Sequence, residues 1–585
     1  MKAKLIGGIA VSALVAYVVV SAVRTRPFAP AADLPRGALV YLQVEDLPGF
    51  MKLWSESSFK EKYLESQNFD DLAKRHLGLK IASRWQEFSD ALGIPIDTDV
   101  VASVADKRAA VAVYDVGKLD IVFIAPMNAA TFEATRLMQG SDKFDSEQLD
   151  DGTQIYRVDV DADKGRQKQQ ILFTHIKGRL IVATSEKLLA QTASIISGRL
   201  KNSALADDPA FSTLAARMTP KTAAVWVDQA ALNADYYFKR YWLMSNVGSL
   251  ENIRSGMFEL GIGENEITED RDYLLKEPIA ARAVTSADSR QLMSRVPDGA
   301  PYYQIGRAST ESMNKALASV LSLGAENQDS GERFNGHLYT DANNDGDDDY
   351  DSDKFDRYVN DADDEQRSVM TKTDVTPNLA SAVGSAGPRA VLTLARSRAE
   401  KGPLFVDFDR AVVVTLALPS AVDGTAFERS LSGALAAHLL VHGQRLDEQW
   451  VTKTDKGVSW RELEAPALGW SVGYAIQGNH LIVANGPEFV SEVLLTSGKV
   501  SADAVVDFAE FTAVRPAQLR DDFQSTFGRL ADKHDLFTGN ILSLIYSAPS
   551  VGKIEITKFH QGNLMHEQLR MTLRPAEQQN KTATE

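Results

Sequence analysis

Apolar and polar positions follow three different patterns along this chain. Leu5–Val23, "LIGGIAVSALVAYVVVSAV", has no charged residue. As a helix rising about 1.5 Å per residue it nearly matches the roughly 30 Å hydrocarbon core of a bilayer. It also exceeds the usual signal-peptide core of about 7–15 residues. Beyond it, apolar residues alternate at period two or recur at helical spacing. "ALVYLQVE", "RAAVAVYDVGKLDIVFIAP" and "ILFTHIKGRLIVAT" are rich in β-branched and aromatic residues. The second and third break at "DVGKLD" and at Lys177-Gly178, so each reads as a hairpin. Helical spacing marks "DDLAKRHLGLKIASRWQEFSDALG", "PAFSTLAARM" and "SEKLLAQTASIISG", the last with Ser185 as N-cap and Gly198 just past its end. Hairpins mixed with helices, without strict βαβ alternation, predict an α+β fold of mainly antiparallel sheet with packed helices.

The pattern also repeats. "LPRGALVYLQV" from Leu34 returns as "VPDGAPYYQIG" from Val296. "IKGRLIVATSEKLLAQTASIISG" returns as "IQGNHLIVANGPEFVSEVLLTSG", ending at Gly498. "KRAAVAV" at Lys107 matches "DRAVVVT" at Asp409, and "DDPAFSTL" around Phe211 matches "DFAEFTAV" around Phe511. Four phrases in one order predict a duplicated unit. The division is then a membrane anchor and linker at 1–30, a first α+β repeat at 31–290, a second at 291–575 with an acidic insert at about 325–375, and a disordered polar tail at 576–585.

Charge sharpens this division. The net charge is -16, but Asp341–Glu365 alone holds twelve acidic residues against Lys354 and Arg357. The remainder is mildly acidic and has no basic stripe, which argues against a nucleic-acid partner. The chain has no cysteine, so disulfides, thiol catalysis and Cys-ligated metals are excluded. Lys2 and Lys4 precede the apolar run, and Arg24 and Arg26 follow it. Four residues ahead of the run leave no room for a domain. The reading is a single-pass anchor in a bacterial inner membrane, residues 5–23 being the membrane contact and the bulk lying in the periplasm. An A-x-A pattern at Ala29 and Ala31 leaves cleavage open as the alternative.

The acidic run holds the one candidate metal site. From Asp341, oxygen donors fall at calcium-loop spacing on Asp341, Asn343, Asp345 and Asp349, with Gly346 at the tight turn and Asp347 at the position that offers its carbonyl. Ser352 stands where a bidentate acid is expected, and Asp351 and Asp353 on either side of it are the substitutes. The stretch resembles the calcium loops of thrombospondin type 3 repeats, which implies a structural extracellular-type calcium site. The other reading is a solvated acidic spacer.

Four further phrases have plainer readings. "GWSVG" offers Ser471 as a nucleophile, but the chain runs on as a strand rather than turning into a helix. "HLLVH" puts His438 and His442 one turn apart without the glutamate of a zinc protease. "DYYFKRYWLM" (235–244) reads as an amphipathic core segment, the alternatives being an interfacial belt or a partner-binding face, and "DVDADKG" (159–165) echoes a calcium pattern but, lying between strands, reads as a solvated hairpin tip.

The plan of anchor, "LPRGALVYLQV", hairpins and "LIVATSEKLLAQ" before "ADDPAF" resembles bacterial membrane-anchored envelope proteins of a domain-of-unknown-function family, of the kind encoded beside bacterial alpha-2-macroglobulin-like proteins. The resemblance implies a membrane-anchored periplasmic protein and brings no catalytic residue. The function expected is therefore a non-catalytic envelope protein that binds a partner protein or ligand. The alternatives are an envelope hydrolase acting at Ser471 or at an unrecognised site, and a calcium-dependent adhesion or assembly module.

Overall fold

A computed structural model describes residues 29–56, 76–235, 251–320, 379–496, 507–515 and 551–573, apart from short stretches within them. Its strands are β1 Val40–Val44, β2 Ala109–Asp115, β3 Asp120–Pro126, β4 Asp145–Gln148, β5 Gln154–Val160, β6 Gln169–Ile176, β7 Arg179–Ala183, β8 Ala223–Val227, β9 Ile253–Ile262 and β10 Glu266–Leu275. They continue with β11 Tyr302–Ala308, β12 Arg389–Ser397, β13 Phe408–Thr415, β14 Gln449–Asp455, β15 Val458–Ala465, β16 Trp470–Gln477, β17 His480–Ala484, β18 Glu510–Val514, β19 Val551–Gln561 and β20 Leu564–Leu573. Every pairing described between them is antiparallel. The fold is therefore α+β and mainly sheet.

The chain forms two compact units, 1–281 with 515–585, and 282–514. In the first, hydrogen bonding orders the strands β4-β5-β6-β7-β3-β2-β1-β8-β9-β10-β20-β19. In the second the order is β14-β15-β16-β17-β13-β12-β11-β18. These eight strands take the same places as β4 to β7, β3, β2, β1 and β8. The hairpin β19–β20, which a division at residue 290 gives to the second half, is hydrogen-bonded into the first unit.

Turn chemistry explains the hairpins. Lys177 and Gly178 between β6 and β7 both have positive φ, 47° and 75°, as do Lys456 and Gly457 between β14 and β15, at 49° and 84°. A type I′ turn needs both central residues left-handed, and its twist matches that of the strands. Helix α1 (Leu47–Ser55) begins with Asp46 accepting from the Gly49 N–H. Helix α2 (His76–Leu92) ends at Gly93, φ +65°. Helix α3 is Thr98–Ser103, and α4 (Glu186–Ile196) follows β7 and buries Leu188, Leu189, Thr192 and Ala193. Helix α5 (Pro209–Ala215) starts on an Asp208 cap, and α6 (Gln229–Ala234) on an Asp228 cap. In the second unit, α7 (Thr310–Ser319), α8 (Leu379–Ala382), α9 (Gly424–Leu439) and α10 (Pro487–Leu495) cover the sheet.

Each unit has its own core. In the first, Ala112, Val122, Ile124, Leu172, Ile181, Leu205 and Leu214 are fully removed from water. Tyr41, Phe211 and Trp226 pack edge to face there, with centroids 5.6 and 5.5 Å apart. In the second, Val414, Phe427, Leu431, Leu463, Leu481 and Val483 do the same. Each such Val, Leu, Ile or Phe side chain contributes roughly 1.5–3 kcal/mol on burial, so these clusters, more than any surface ion pair, hold the elements in place.

Two of the four repeated phrases do not occupy matching places. "PAFSTL" around Phe211 is helix α5, whereas Phe511 lies in strand β18. The strand at the place of β2 is β12, "RAVLTLARS", whereas "DRAVVVT" forms β13 at the place of β3. Alternating Ala and Val satisfies any inner strand of such a sheet, so short apolar phrases match out of turn. The acidic run falls between α7 and α8, in the interval between β11 and β12. Between β1 and β2 the first unit places α1, α2 and α3.

No helix among the described residues is long and apolar enough to cross a membrane. Leu5–Val23 lies outside the described residues, as do 161–168, 236–250 and the acidic run.

Candidate functional site

The densest polar cluster among the described residues sits where β10 meets β20, within the first unit. Strand geometry sends alternate side chains of "EITEDRDYLL" to opposite faces. Glu269, Arg271 and Tyr273 share one face, and Asp270 and Asp272 the other. On β20, Glu567 stands directly opposite Arg271, and His566 opposite Asp272.

Arg271 on the first face has no exposed surface and Glu567 only 2%. The guanidinium donates from Nη2 to Glu269 Oε2 at 2.9 Å and from Nη1 to Glu567 Oε2 at 3.5 Å. The Tyr273 hydroxyl donates to the same Glu567 oxygen at 3.3 Å, and Lys558 Nζ on β19 lies 3.5 Å from Glu567 Oε1. Burial alone lowers the pKa of Arg271, but Tyr273, Glu269 and Glu567 outweigh it and hold the group above its ordinary value. Phe258 on β9 is paired with Arg271 in register and packs edge-on to Tyr273 at 5.5 Å, closing the apolar surround.

On the second face Asp272 Oδ1 accepts from Arg217 Nε at 3.0 Å and meets His566 Nδ1 at 3.1 Å. Burial works to raise the pKa of Asp272, yet these two partners prevail and hold the carboxyl below the usual range. Lys221 bonds Asp270. Glu259, in register with Asp270 and 4% exposed, accepts the Thr219 N–H at 2.9 Å through Oε2, while its Oε1 has no hydrogen-bond partner among the described residues. Burial pushes its pKa up, helped by Asp270 and Asp272 and opposed by the Thr219 N–H and Lys221.

The chemistry of this site is recognition between strands. Its carboxylates are engaged by Arg271 on β10, Lys558 on β19, Arg217 and Lys221 between α5 and β8, and the His566 ring on β20, and a slip of one residue would send Arg271 to the wrong face. Removing one member of a buried pair is costly even where the pair adds little net stability. The site thus specifies which strand occupies the β10 edge, and in what register.

The second unit carries smaller clusters. Glu428 on α9 accepts from Arg461 Nε at 2.7 Å and from the Tyr474 hydroxyl at 3.1 Å, fixing the helix to β15 and β16. Burial, then Glu428, pushes the tyrosine up to about 12. His480 opens β17 at 5% exposure, and burial, then Arg295, pulls it down to about 4.

The sequence candidates fall elsewhere. Ser471 lies within the continuous strand β16, opposite Glu464 on β15, so it is not on a strand-to-helix elbow. His438 belongs to α9, and His442 lies outside the described residues. Asp341, Asn343, Asp345, Asp347, Asp349 and Asp353 also lie outside them. Among the described residues no cluster of three or more His, Asp or Glu is arranged to hold a metal ion. The β10–β20 cluster escaped sequence reading because Arg271 and Glu567 are 296 residues apart. The only local sign was a strand whose inward face reads Glu-Arg-Tyr.

No protein-family model matches the chain, and no curated protein matches it. Among solved structures, crystal form III of TP0453 is similar at 11% identity and a TM-score of 0.24, covering 47% of this chain and 88% of that one. Crystal form IV stands at 11% identity and 0.24, covering 46% and 86%, and crystal form I at 10% and 0.23, covering 44% and 82%. Likeness at these TM-scores carries no argument for fold or activity.

Proposed function

We propose that the chain is a membrane-tethered binding scaffold of a bacterial envelope, built from a duplicated strand plan and docking a partner protein or ligand on the sheet of its first unit. The shared strand order supports the duplication. The uncharged run Leu5–Val23, flanked by Lys2, Lys4, Arg24 and Arg26, supports the tether. The observation that carries the binding role is Leu42. It lies in mid-strand on β1, at the centre of a twelve-strand order, yet is 36% exposed, with half-buried Val111 and Val225 as its cross-strand neighbours. A central strand normally buries such a side chain, and an apolar strip left open there is the kind of surface that partners cover.

Fractionation and capture test both parts. Full-length protein is expected to need detergent for extraction, and a chain lacking residues 1–26 to be soluble. Recovery of the full-length protein in the soluble fraction of broken cells refutes the tether. In pulldowns from solubilised membranes, Leu42→Lys is expected to lose species that the unaltered protein retains. An unchanged capture pattern from a folded variant removes the binding strip.

A further inference from the structure

Hairpins β9–β10 and β19–β20 are the same object at a fixed sequence offset. In the first, Ile262 faces Ile267, and 298 residues later His560 faces Met565. Each ladder has one irregularity. In the first it skips Arg254 between Leu274 and Leu275, and in the second it skips Gly552, paired beside Leu573. Gly552 and Leu573 are again 298 residues beyond Arg254 and Leu275. A shared register and a shared bulge identify counterpart residues one by one.

These hairpins meet through counterpart strands, β10 and β20, running antiparallel. In their ladder Asp270 faces Gln568, which is its own counterpart, 298 residues on. Two like hairpins joined edge to edge at a self-equivalent pair are related by a local two-fold. This is the geometry of an isologous contact between two copies of one protein, here made inside one chain.

The side chains break that symmetry on one face. Arg271 meets Glu567, while the symmetry-related pair is Glu269 with Leu569. Suppose β10 met β10 of a second copy about the same two-fold. Arg271 would then face Glu269 of the second copy, and Glu269 its Arg271. Both guanidiniums would find a carboxylate in the place now filled by Glu567. Asp270 would meet Asp270, each with its own Lys221 beside it. A β20–β20 contact would instead seat Glu567 against Leu569, with no cation opposite that carboxylate. Charge therefore admits a second copy on β10 and disfavours one on β20.

The geometry points to β10 as a two-way docking strand: it holds β20 in the closed chain, and when the C-terminal hairpin leaves it takes β10 of a second copy, with Arg271 and Glu269 pairing reciprocally. This inference is independent of the tether and of the Leu42 strip.

The absence of cysteine makes the test direct. Asp270→Cys places a single thiol at the two-fold, where residues directly opposite lie close enough for a disulfide. With Glu567→Lys added, a cation opposes Arg271 and Lys558 and drives β20 off. Under oxidation this full-length double variant is expected to give a dimer linked through the introduced thiol, its dimer fraction rising at least about tenfold over Asp270→Cys alone. Asp270→Cys with Gln568→Cys is expected to close within one chain and stay monomeric. The reversed pair Arg271→Glu with Glu567→Arg, also carrying Asp270→Cys, restores an opposite-charge pair across the closed ladder, at the cost of setting Glu269 and Lys558 beside like charges. In a self-pair, however, its new carboxylate would stand against Glu269 of the second copy, so no linked dimer is expected. A folded, monomeric Glu567→Lys variant overturns the inference. Dimers from the reversed pair as abundant as from Glu567→Lys overturn it too; should Glu567→Lys fail to fold, Glu567→Leu with Asp270→Cys is read against Asp270→Cys alone, and an unchanged dimer fraction overturns the inference.

Discussion

The buried pair between Arg271 and Glu567 yields a quantitative prediction through a double-mutant cycle. Glu567→Leu removes the carboxylate across the ladder and leaves Arg271, with no exposed surface, its contact to Glu269 at 2.9 Å. Breaking a buried pair from one side costs about 3–5 kcal/mol. The surviving Glu269 places this variant near the lower end, about 3 kcal/mol, or roughly 150-fold in the opening equilibrium. Arg271→Met is expected to be milder, because Glu567 keeps Lys558 at 3.5 Å and the Tyr273 hydroxyl. The double variant Arg271→Met with Glu567→Leu replaces the charges by apolar groups of similar volume. It should cost no more than Glu567→Leu alone, giving a coupling of about 2 kcal/mol. The chain forms two compact units, so a single unfolding midpoint would mix their transitions. Native-state hydrogen exchange at the β10 and β20 amides reads the relevant opening directly. Additive single effects would refute the idea that these two residues act as a pair.

Three further outcomes follow from the polar groups. Glu259 has a raised pKa in the folded chain, so its stabilising neutral form is lost as pH rises through that value. Glu259→Gln keeps the Thr219 contact and should be more stable than the unaltered chain at pH 7.5, with the difference closing toward pH 4 in urea melts; an equal difference at both pH values rejects this. For His480 the sign is opposite: protonation is penalised in the folded state, so the second unit should lose stability as pH falls from 6.5 to about 4. The loss should reach about 3 kcal/mol, and His480→Gln should flatten that limb of the pH–stability curve; an unchanged slope places the titration elsewhere. If the loop from Asp341 binds calcium, the melting midpoint should rise with calcium over chelator and the rise should vanish in Asp345→Asn/Asp349→Asn; no shift in the unaltered chain removes the metal.

What was legible in the sequence was local. Lys177-Gly178 marks a turn that only a left-handed pair can make, and β6 and β7 follow on either side of it. The phrase "LIVA" returns in β7 and β17 at the same position in both strand orders because a central strand buried on both faces has few acceptable residues. The same degeneracy misled at "DRAVVVT", where composition suits β2 and β3 equally. The β10–β20 ladder was invisible for a different reason. Period-two reading assigns Arg271 to a face but cannot name the strand across from it, and a lone arginine among acids looks like a solvated surface. Only pairing shows that its partner comes from the far end of the chain.

That pairing changes where the chain can sensibly be divided. A cut at residue 290, between the repeated phrases, would strip β20 from the ten residues of β10 and take away the carboxylate opposite Arg271. An uncovered edge of that length invites other strands, and a buried guanidinium that has lost a partner favours whichever strand brings an acid opposite it. The last hairpin of the second half therefore acts as a component of the first unit, and the specificity of that placement rests on Arg271 and Glu567. Apolar burial gives both units their stability, but alternating Val, Ile and Leu fits many neighbours equally well. The charged pair is what tells β10 which strand belongs beside it.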